Sequence, residues 1–188
     1  MKKIFALLCL IASFGCIAVQ SQAQEFKSGD NVLSLGLGLG SSLGGGYAYS
    51  SQSPAISIQY EHGQWDVGGP GTISLGGYLG FKSFSHTNSH FTEKWSYTVL
   101  GFRSAYHFNM LDVKNFDLYA GAMLSYNIVS YSFDSHEPFY DNFGGSYGSA
   151  LGLSIYIGGR YYFSQNIGAF LELGYGISYA TIGGSFKF

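Results

Sequence analysis

The sequence predicts an all-β protein in which eight antiparallel strands close into an up-and-down barrel. Three observations carry this prediction. Apolar and small residues alternate with a period of two in segment after segment, which is typical of strands. Glycine is abundant, with 28 in 188 residues, which is about twice the average share of roughly 7%. After residue 23, no apolar run reaches the length of a membrane-spanning helix.

The beginning of the chain predicts an export signal. Two lysines precede the apolar run Ile4–Val19, and the small residue Ala23 closes the segment. This order is that of a cleaved secretory signal. We therefore predict a signal peptide at 1–23 and a single barrel domain at 24–188, with a retained membrane anchor as the alternative. Both cysteines lie inside the signal, so the barrel holds no disulfide and no thiolate site.

Eight alternating segments follow the signal. In the first, Leu33, Leu35 and Leu37 share one face, and the residues between them are serine and glycine. The same pattern recurs through the rest of the chain. The predicted strands span 31–40, 54–62, 72–84, 95–108, 117–131, 147–163, 167–179 and 180–188.

The positions of the charges indicate which face of these strands points inward. All charged residues of the central strand segments lie on the small, glycine-rich face: Glu61, Lys82, Arg103, Asp117, Arg160, Glu172 and Lys187. A water-facing surface would carry many more charges and fewer glycines. The small face therefore fits a crowded barrel interior, and the apolar face fits contact with lipid. A secreted soluble β protein is the alternative.

Aromatic residues and connections support a transmembrane barrel. The apolar face carries aromatic residues near both strand ends, as expected for interfacial girdles. One rim holds Tyr60, Tyr106, Phe108, Tyr161, Phe186 and Phe188, and the other holds Tyr126, Tyr175 and Tyr179. With the N-terminus on the periplasmic side, the long polar connections 41–53, 85–94 and 132–146 become extracellular loops that could contact a ligand.

The whole chain after residue 23 resembles the small eight-stranded outer-membrane barrels, such as the outer-membrane protein A transmembrane domain and outer-membrane protein X. The last strand, Ile182–Phe188, resembles the assembly signal of that class, with aromatic residues at Phe186 and Phe188. The resemblance implies a Gram-negative outer-membrane location, contact with outer-membrane lipids and recognition by the barrel-assembly machinery. The tight fourth outer connection leaves no room for the protruding sheet of the X-type adhesins.

The inward charges predict a structural ion-pair cluster. We expect it to contain Glu61, Arg103, Arg160, Glu172 and Lys187. A tight turn at 164–166 places Arg160 nearly opposite Phe170, and a turn around 179–180 would bring Lys187 opposite Glu172. A carboxylate between two cations stays ionised, which does not suit a general acid. His107 and Asp117 share the inner face, and we expect them to form a second structural pair, with a catalytic dyad as the alternative.

The sequence offers weak signals for chemistry. Three of the five histidines lie in the predicted loop stretches Ser85–His90 and Ser135–Glu137, where solvated histidines are the simplest interpretation. A surface metal site or a lipid A hydrolase is the alternative for these loops. The near-neutral charge of −2 argues against a nucleic-acid partner. We expect no cofactor, no metal and no catalysis, but a structural or surface-interaction role. A lipid A-modifying enzyme and a narrow solute channel are the alternatives.

Overall fold

The structure is a computed structural model, and it describes residues 26–43, 50–67, 71–109, 113–135 and 148–188. The predicted signal peptide lies outside the described residues and stays a prediction. The strands are β1 (Asn31–Leu39), β2 (Ser51–Gln52), β3 (Ala55–Asp66), β4 (Gly71–Thr87), β5 (Phe91–Phe108), β6 (Phe116–Ser135), β7 (Ala150–Tyr162), β8 (Ile167–Tyr175) and β9 (Ala180–Lys187).

The strands close into a barrel by antiparallel pairing. Each strand from β3 to β9 pairs with the next, and β1 joins β9 to β3. The two-residue strand β2 pairs with β4 in line with β3, so β2 and β3 share one position in the wall. The barrel therefore has eight positions, which confirms the fold predicted from the alternation. In the described ranges, no helix is both long enough and apolar enough to cross a membrane.

The apolar face of every strand points outward. On β1, Leu35 is 59% exposed and Leu37 is 55% exposed, whereas Ser34 between the apolar positions is 1% exposed. A soluble barrel would bury these leucines to gain the free energy of removing apolar surface from water. A continuous exterior of exposed leucine, isoleucine and aromatic side chains instead matches the apolar band of a membrane barrel.

Aromatic side chains border this band at both ends. At the lower end, where β1 begins and β9 ends, the ring centroids of Phe186 and Phe188 are 5.9 Å apart. The ring centroids of Tyr161 and Phe163 are 5.6 Å apart at the same end. At the upper end, the ring of Tyr175 lies 6.4 Å from that of Tyr179. Amphipathic rings favour the boundary between lipid and water, so the two rims mark the edges of the band.

The lower mouth of the barrel is covered by the segment before β1, which the sequence analysis did not single out. Phe26 is fully buried, and its ring stacks on that of His107 with centroids 3.9 Å apart. The backbone carbonyl of Phe26 accepts hydrogen bonds from Thr72 Oγ1 and Asn109 Nδ2, both at 3.2 Å. These contacts anchor the segment to β4 and to the end of β5.

All three predicted extracellular loops contain strand residues: β2 (Ser51–Gln52) lies within 41–53, and longer strands take up parts of 85–94 and 132–146. Residues 84–87 of β4, 91–97 of β5 and 129–135 of β6 continue the ladder past the upper rim and form what we call the sheet extension. Its inner side buries Phe84, Trp95 and Tyr97. The loop predictions for 85–94 and 132–146 were therefore too long. Polar residues such as Ser85 predict a loop, but above a membrane the outer face of a strand meets water and can carry them.

The hairpin between β8 and β9 also differs from the prediction. β8 ends at Tyr175 rather than at Tyr179, and the connecting residues turn into the barrel. Ile177 and Ser178 are buried in the upper mouth. The backbone carbonyl of Gly176 accepts hydrogen bonds from the Ser42 backbone N–H at 3.0 Å and the Ser42 hydroxyl at 2.9 Å. The hydrogen bonds from Ser42, which follows β1, therefore hold this turn in place across the upper mouth.

Candidate functional site: the buried charge network

Five charged side chains from five strands meet inside the barrel. We call this set the charge network: Glu61, Arg103, Asp117, Arg160 and Glu172. The strand register explains the meeting. Asp117 of β6 pairs directly with Arg160 of β7. Across β4, Glu61 and Arg103 both pair with Gly76, which has no side chain to separate them.

The charges alternate in sign through the network. Arg103 Nη2 donates to Glu172 Oε2 at 2.8 Å and lies 3.4 Å from Glu61 Oε1. Arg160 Nη2 donates to Glu61, and Arg160 Nη1 donates to Asp117 Oδ2 at 3.0 Å. Both guanidinium groups are almost completely buried, at 1% and 0% exposure. Burial of a charge is tolerated when it is paired and hydrogen-bonded, as each of these is.

Tyrosine rings fill the space around the two arginines. The Arg103 guanidinium lies 4.2 Å from the centroid of the Tyr156 ring, and that of Arg160 lies 5.1 Å from the Tyr119 ring. The Tyr119 hydroxyl donates to Glu172 Oε2 at 3.3 Å. The Tyr119 ring covers Gly158, where any side chain would collide with it. The inward glycines therefore make room for rings on neighbouring strands, and the interior fills with side chains.

A second row of polar groups continues from Asp117. His107 Nδ1 lies 2.8 Å from Asp117 Oδ1, and His107 Nε2 lies 3.0 Å from Ser74 Oγ. The sequence predicts the pair of His107 with Asp117, but it does not predict the contact with Ser74. Ser74 pairs with Ala105 of β5 and so lies diagonal to His107 on the inner face. The register of the β4–β5 hairpin was the signal that could have placed it.

The row has the order of contacts of a Ser-His-Asp triad, but its surroundings do not suit a nucleophile. Ser74, His107 and Asp117 are exposed by 3% or less. The ring of Phe26 covers the imidazole, and Asp117 also accepts a hydrogen bond from Arg160. A substrate carbonyl would have to reach the serine hydroxyl through this packing. The row can hold β4, β5 and β6 together, and among the described residues the serine hydroxyl is buried beneath the packing around Phe26.

Lys187 does not join the charge network. Its ammonium lies 2.5 Å from Asp30 Oδ2 at the lower rim and over the Tyr162 ring, 5.8 Å from its centroid. Glu172 instead pairs with Thr181, six residues before Lys187. The prediction assumed a turn around 179–180. The inward turn after Tyr175 shifts the register of β9 and moves Lys187 to the lower end. The β7–β8 turn follows the prediction, since Arg160 pairs with Phe170.

The remaining predicted site residues fall in several places. Phe186 and Phe188 are exposed on the outer face of the last strand and its end. His86 lies on β4 in the sheet extension, while residues 136 and 137 lie outside the described residues. In the part of the chain that the structure describes, no group of three or more His, Cys, Asp or Glu side chains could hold a metal ion.

The fold is shared with known outer-membrane proteins. Ail, the attachment invasion locus protein of Yersinia pestis, solved with the heparin analogue sucrose octasulfate, is 14% identical with a TM-score of 0.54, covering 86% of this chain and 99% of Ail. The N-terminal β-barrel domain of Pseudomonas aeruginosa OprF is 15% identical with a TM-score of 0.49, covering 87% of this chain and all of that domain. OprG of Pseudomonas aeruginosa is 13% identical with a TM-score of 0.49, covering 89% of this chain and 99% of OprG.

No protein-family model matches the chain, and no curated protein matches it. The likeness to Ail, together with the closed eight-position barrel, defines the class of fold. The chain has the fold of the small eight-stranded outer-membrane β-barrels. At this level of identity the likeness concerns the fold alone.

Proposed function

We propose that this protein is a non-enzymatic outer-membrane barrel that contacts external molecules through its sheet extension. The observation that carries the proposal is the continuation of β4, β5 and β6 beyond the upper aromatic rim. β6 runs on from Tyr126 to Ser135, roughly 30 Å of strand at about 3.3 Å per residue. The extension is held together by side chains: the Tyr131 hydroxyl donates to Glu93 Oε1 at 2.7 Å, and the Phe91 and Phe133 rings stack at 5.4 Å. A rigid surface above the membrane suits recognition.

The proposal includes export and assembly. The predicted signal at 1–23 would deliver the chain to the periplasm, and Phe186 and Phe188 would present the assembly signal on the outer face of the last strand. Outer-membrane lipids would then contact the apolar band. The likeness to outer-membrane proteins and the two aromatic rims support this location.

The two alternatives have less support. A lipid A-modifying enzyme needs a nucleophile or acid that a lipid can reach, and the Ser74, His107 and Asp117 row is closed beneath Phe26. A solute channel needs an open lumen. The charge network and its tyrosines block the middle of the lumen, as expected for a barrel of eight strands.

Surface labelling tests the orientation of the sheet extension. Because both natural cysteines lie within the predicted signal, single cysteines can report position. We expect Lys94→Cys, on the exposed side of the extension, to react with a membrane-impermeant maleimide on intact cells. The matched control is Val113→Cys, which is exposed in the turn at the lower end and should react only after the outer membrane is permeabilised. If only Val113→Cys were labelled on intact cells, the lower end of the barrel would face outward, and the proposed function would be wrong.

Lipid A analysis separates the proposal from the enzymatic alternative. Expression of the protein in a Gram-negative host should leave the lipid A mass spectrum unchanged, because the Ser74 hydroxyl is buried inside the barrel. Ser74→Ala serves as the control variant. An acylation change that appears with the natural chain and disappears with Ser74→Ala would establish a hydrolase or transferase and overturn the non-enzymatic proposal.

A further inference from the structure

The barrel wall has an opening between β7 and β8 near the upper rim. The β7–β8 ladder begins at the pair Ile155 and Tyr175. Above this pair, the first five residues of β7 (150–154) pair with β6, but in the described part of the chain no residue of β8 pairs with them. The cause is the inward turn after Tyr175. Leu151 and Leu153 are 74% and 69% exposed, more than any other large apolar side chain of the described residues.

A cavity of about 210 Å³ occupies this opening. Its lining joins the two sides of the wall. Leu151, Leu153 and Tyr175 come from the lipid-facing surface, whereas Val99 and Met123 face the barrel interior. The cavity thus passes from the apolar exterior into the upper mouth, where Leu43 and Ile177 complete the apolar lining.

The lining has a polar side as well. Ser125, Asn127 and Ser154 contribute to the same cavity. A smaller cavity of about 30 Å³ lies deeper and shares Met123 and Ser154 with the first. The deeper cavity reaches Arg103 and Glu172 of the charge network. The passage is therefore apolar at the lipid side and becomes polar toward the interior.

We propose that this opening binds one hydrocarbon chain of an outer-leaflet lipid. The inference rests on the outer-membrane location in the proposed function. The opening is continuous with the lipid-facing band, so a lipid chain is the molecule present at its entrance. An empty apolar cavity loses dispersion contacts, and ordered water needs several polar partners, which the apolar side lacks. Asn127 Nδ2 can donate to an ester oxygen at the head of the hydrocarbon chain, and Ser125 Oγ, whose hydroxyl donates to Asn127 Oδ1, can accept from a lipid hydroxyl.

Fluorescence quenching by brominated lipids tests this site in the folded chain. In a background with Trp65→Phe and Trp95→Phe, Ile177→Trp places a reporter inside the cavity. Leu153→Trp reports the lipid-facing side of the entrance. Phe170→Trp is the buried control on β8, where the residue faces inward within the barrel wall and does not line the cavity. Each variant is refolded into phosphatidylcholine vesicles with acyl chains brominated at outer-leaflet depth, and its folded mobility is checked on a gel.

We expect the fluorescence of Ile177→Trp to be quenched nearly as strongly as that of Leu153→Trp and several-fold more than that of Phe170→Trp. Adding unbrominated lipopolysaccharide then identifies which lipid supplies the hydrocarbon chain. If the quenching is relieved, the hydrocarbon chain belongs to lipopolysaccharide; if the quenching persists, it belongs to phospholipid. Either result supports a hydrocarbon chain in the cavity. If Ile177→Trp does not fold, Leu43→Trp lines the same cavity and replaces it.

Two results would overturn the proposal. Quenching of Ile177→Trp no greater than that of Phe170→Trp would mean that no lipid chain enters. Strong quenching of Ile177→Trp by aqueous acrylamide, without quenching by brominated chains, would mean that the cavity is filled by water. Failure of the Leu153→Trp reporter to be quenched would instead contradict the membrane location itself, so the two failures are distinguishable.

Discussion

Replacing Arg160 by methionine is expected to destabilise the folded barrel by about 3–5 kcal/mol, the usual cost of removing one partner from a buried ion pair. Arg160 is fully buried and donates hydrogen bonds to both Glu61 and Asp117. Without it, two carboxylates remain in the interior with fewer donors. The free energy of unfolding, measured by urea titration of the chain folded in lipid vesicles, should fall accordingly.

Lys187→Met is the matched control for this prediction. It also replaces a cation by methionine, but the pair of Lys187 with Asp30 lies at the rim, where Asp30 is 24% exposed. Partial solvation reduces the value of such a pair, so the loss of stability should be clearly smaller. A second variant, Arg160→Met with Glu61→Gln, should recover part of the loss because one uncompensated charge is removed. An Arg160→Met variant as stable as Lys187→Met would show that the charge network contributes little.

Replacing Leu171 by arginine is expected to destabilise the barrel in a bilayer by about 2–4 kcal/mol, the cost typical of a cation at the membrane midplane. Leu171 is 50% exposed on the outer face and is the central outward residue of β8, between Ile167 and Tyr175. The measurement is again urea unfolding in vesicles.

The control for this prediction is Val113→Arg. Val113 is an apolar residue with a similar exposed fraction, 54%, but it lies in the lower β5–β6 turn. Exposed substitutions of that kind usually change stability by less than about 0.5 kcal/mol. Equal effects of Leu171→Arg and Val113→Arg would mean that the apolar face of β8 does not meet lipid.

The barrel could be predicted from the sequence alone because the alternation of apolar and small residues is a property of each single strand and needs no knowledge of its neighbours. Within the membrane band, one face of each strand meets lipid and the other meets a crowded interior, so Leu35 and Ser34 must alternate. The same alternation placed Arg103, Arg160 and Glu172 on one side of the wall. The short β7–β8 turn then places Arg160 opposite Phe170, as predicted, whereas the pair of Asp117 and Arg160 lies across the long β6–β7 connection.

Features that break the alternation could not be predicted in the same way. Ile177 continues the spacing of Leu173 and Tyr175, so the pattern extends the strand outward through it. Gly176, with a φ of 151°, instead turns the chain into the barrel, and Ile177 becomes buried. That turn moved Lys187 away from Glu172 and left the opening beside β7. Phe26 was missed for a related reason, because a single aromatic residue before the first strand has no pattern around it.

The most direct test of the account is cell fractionation with heat-modifiable gel mobility. The central claim is that the chain folds as a closed barrel in the outer membrane. We expect the protein in the outer-membrane fraction, with an unboiled band whose mobility differs from that of the boiled band because the folded barrel resists detergent. Arg160→Met should lower the temperature at which the folded band is lost. Recovery of the natural chain as a soluble periplasmic protein, with no difference between boiled and unboiled samples, would contradict the account.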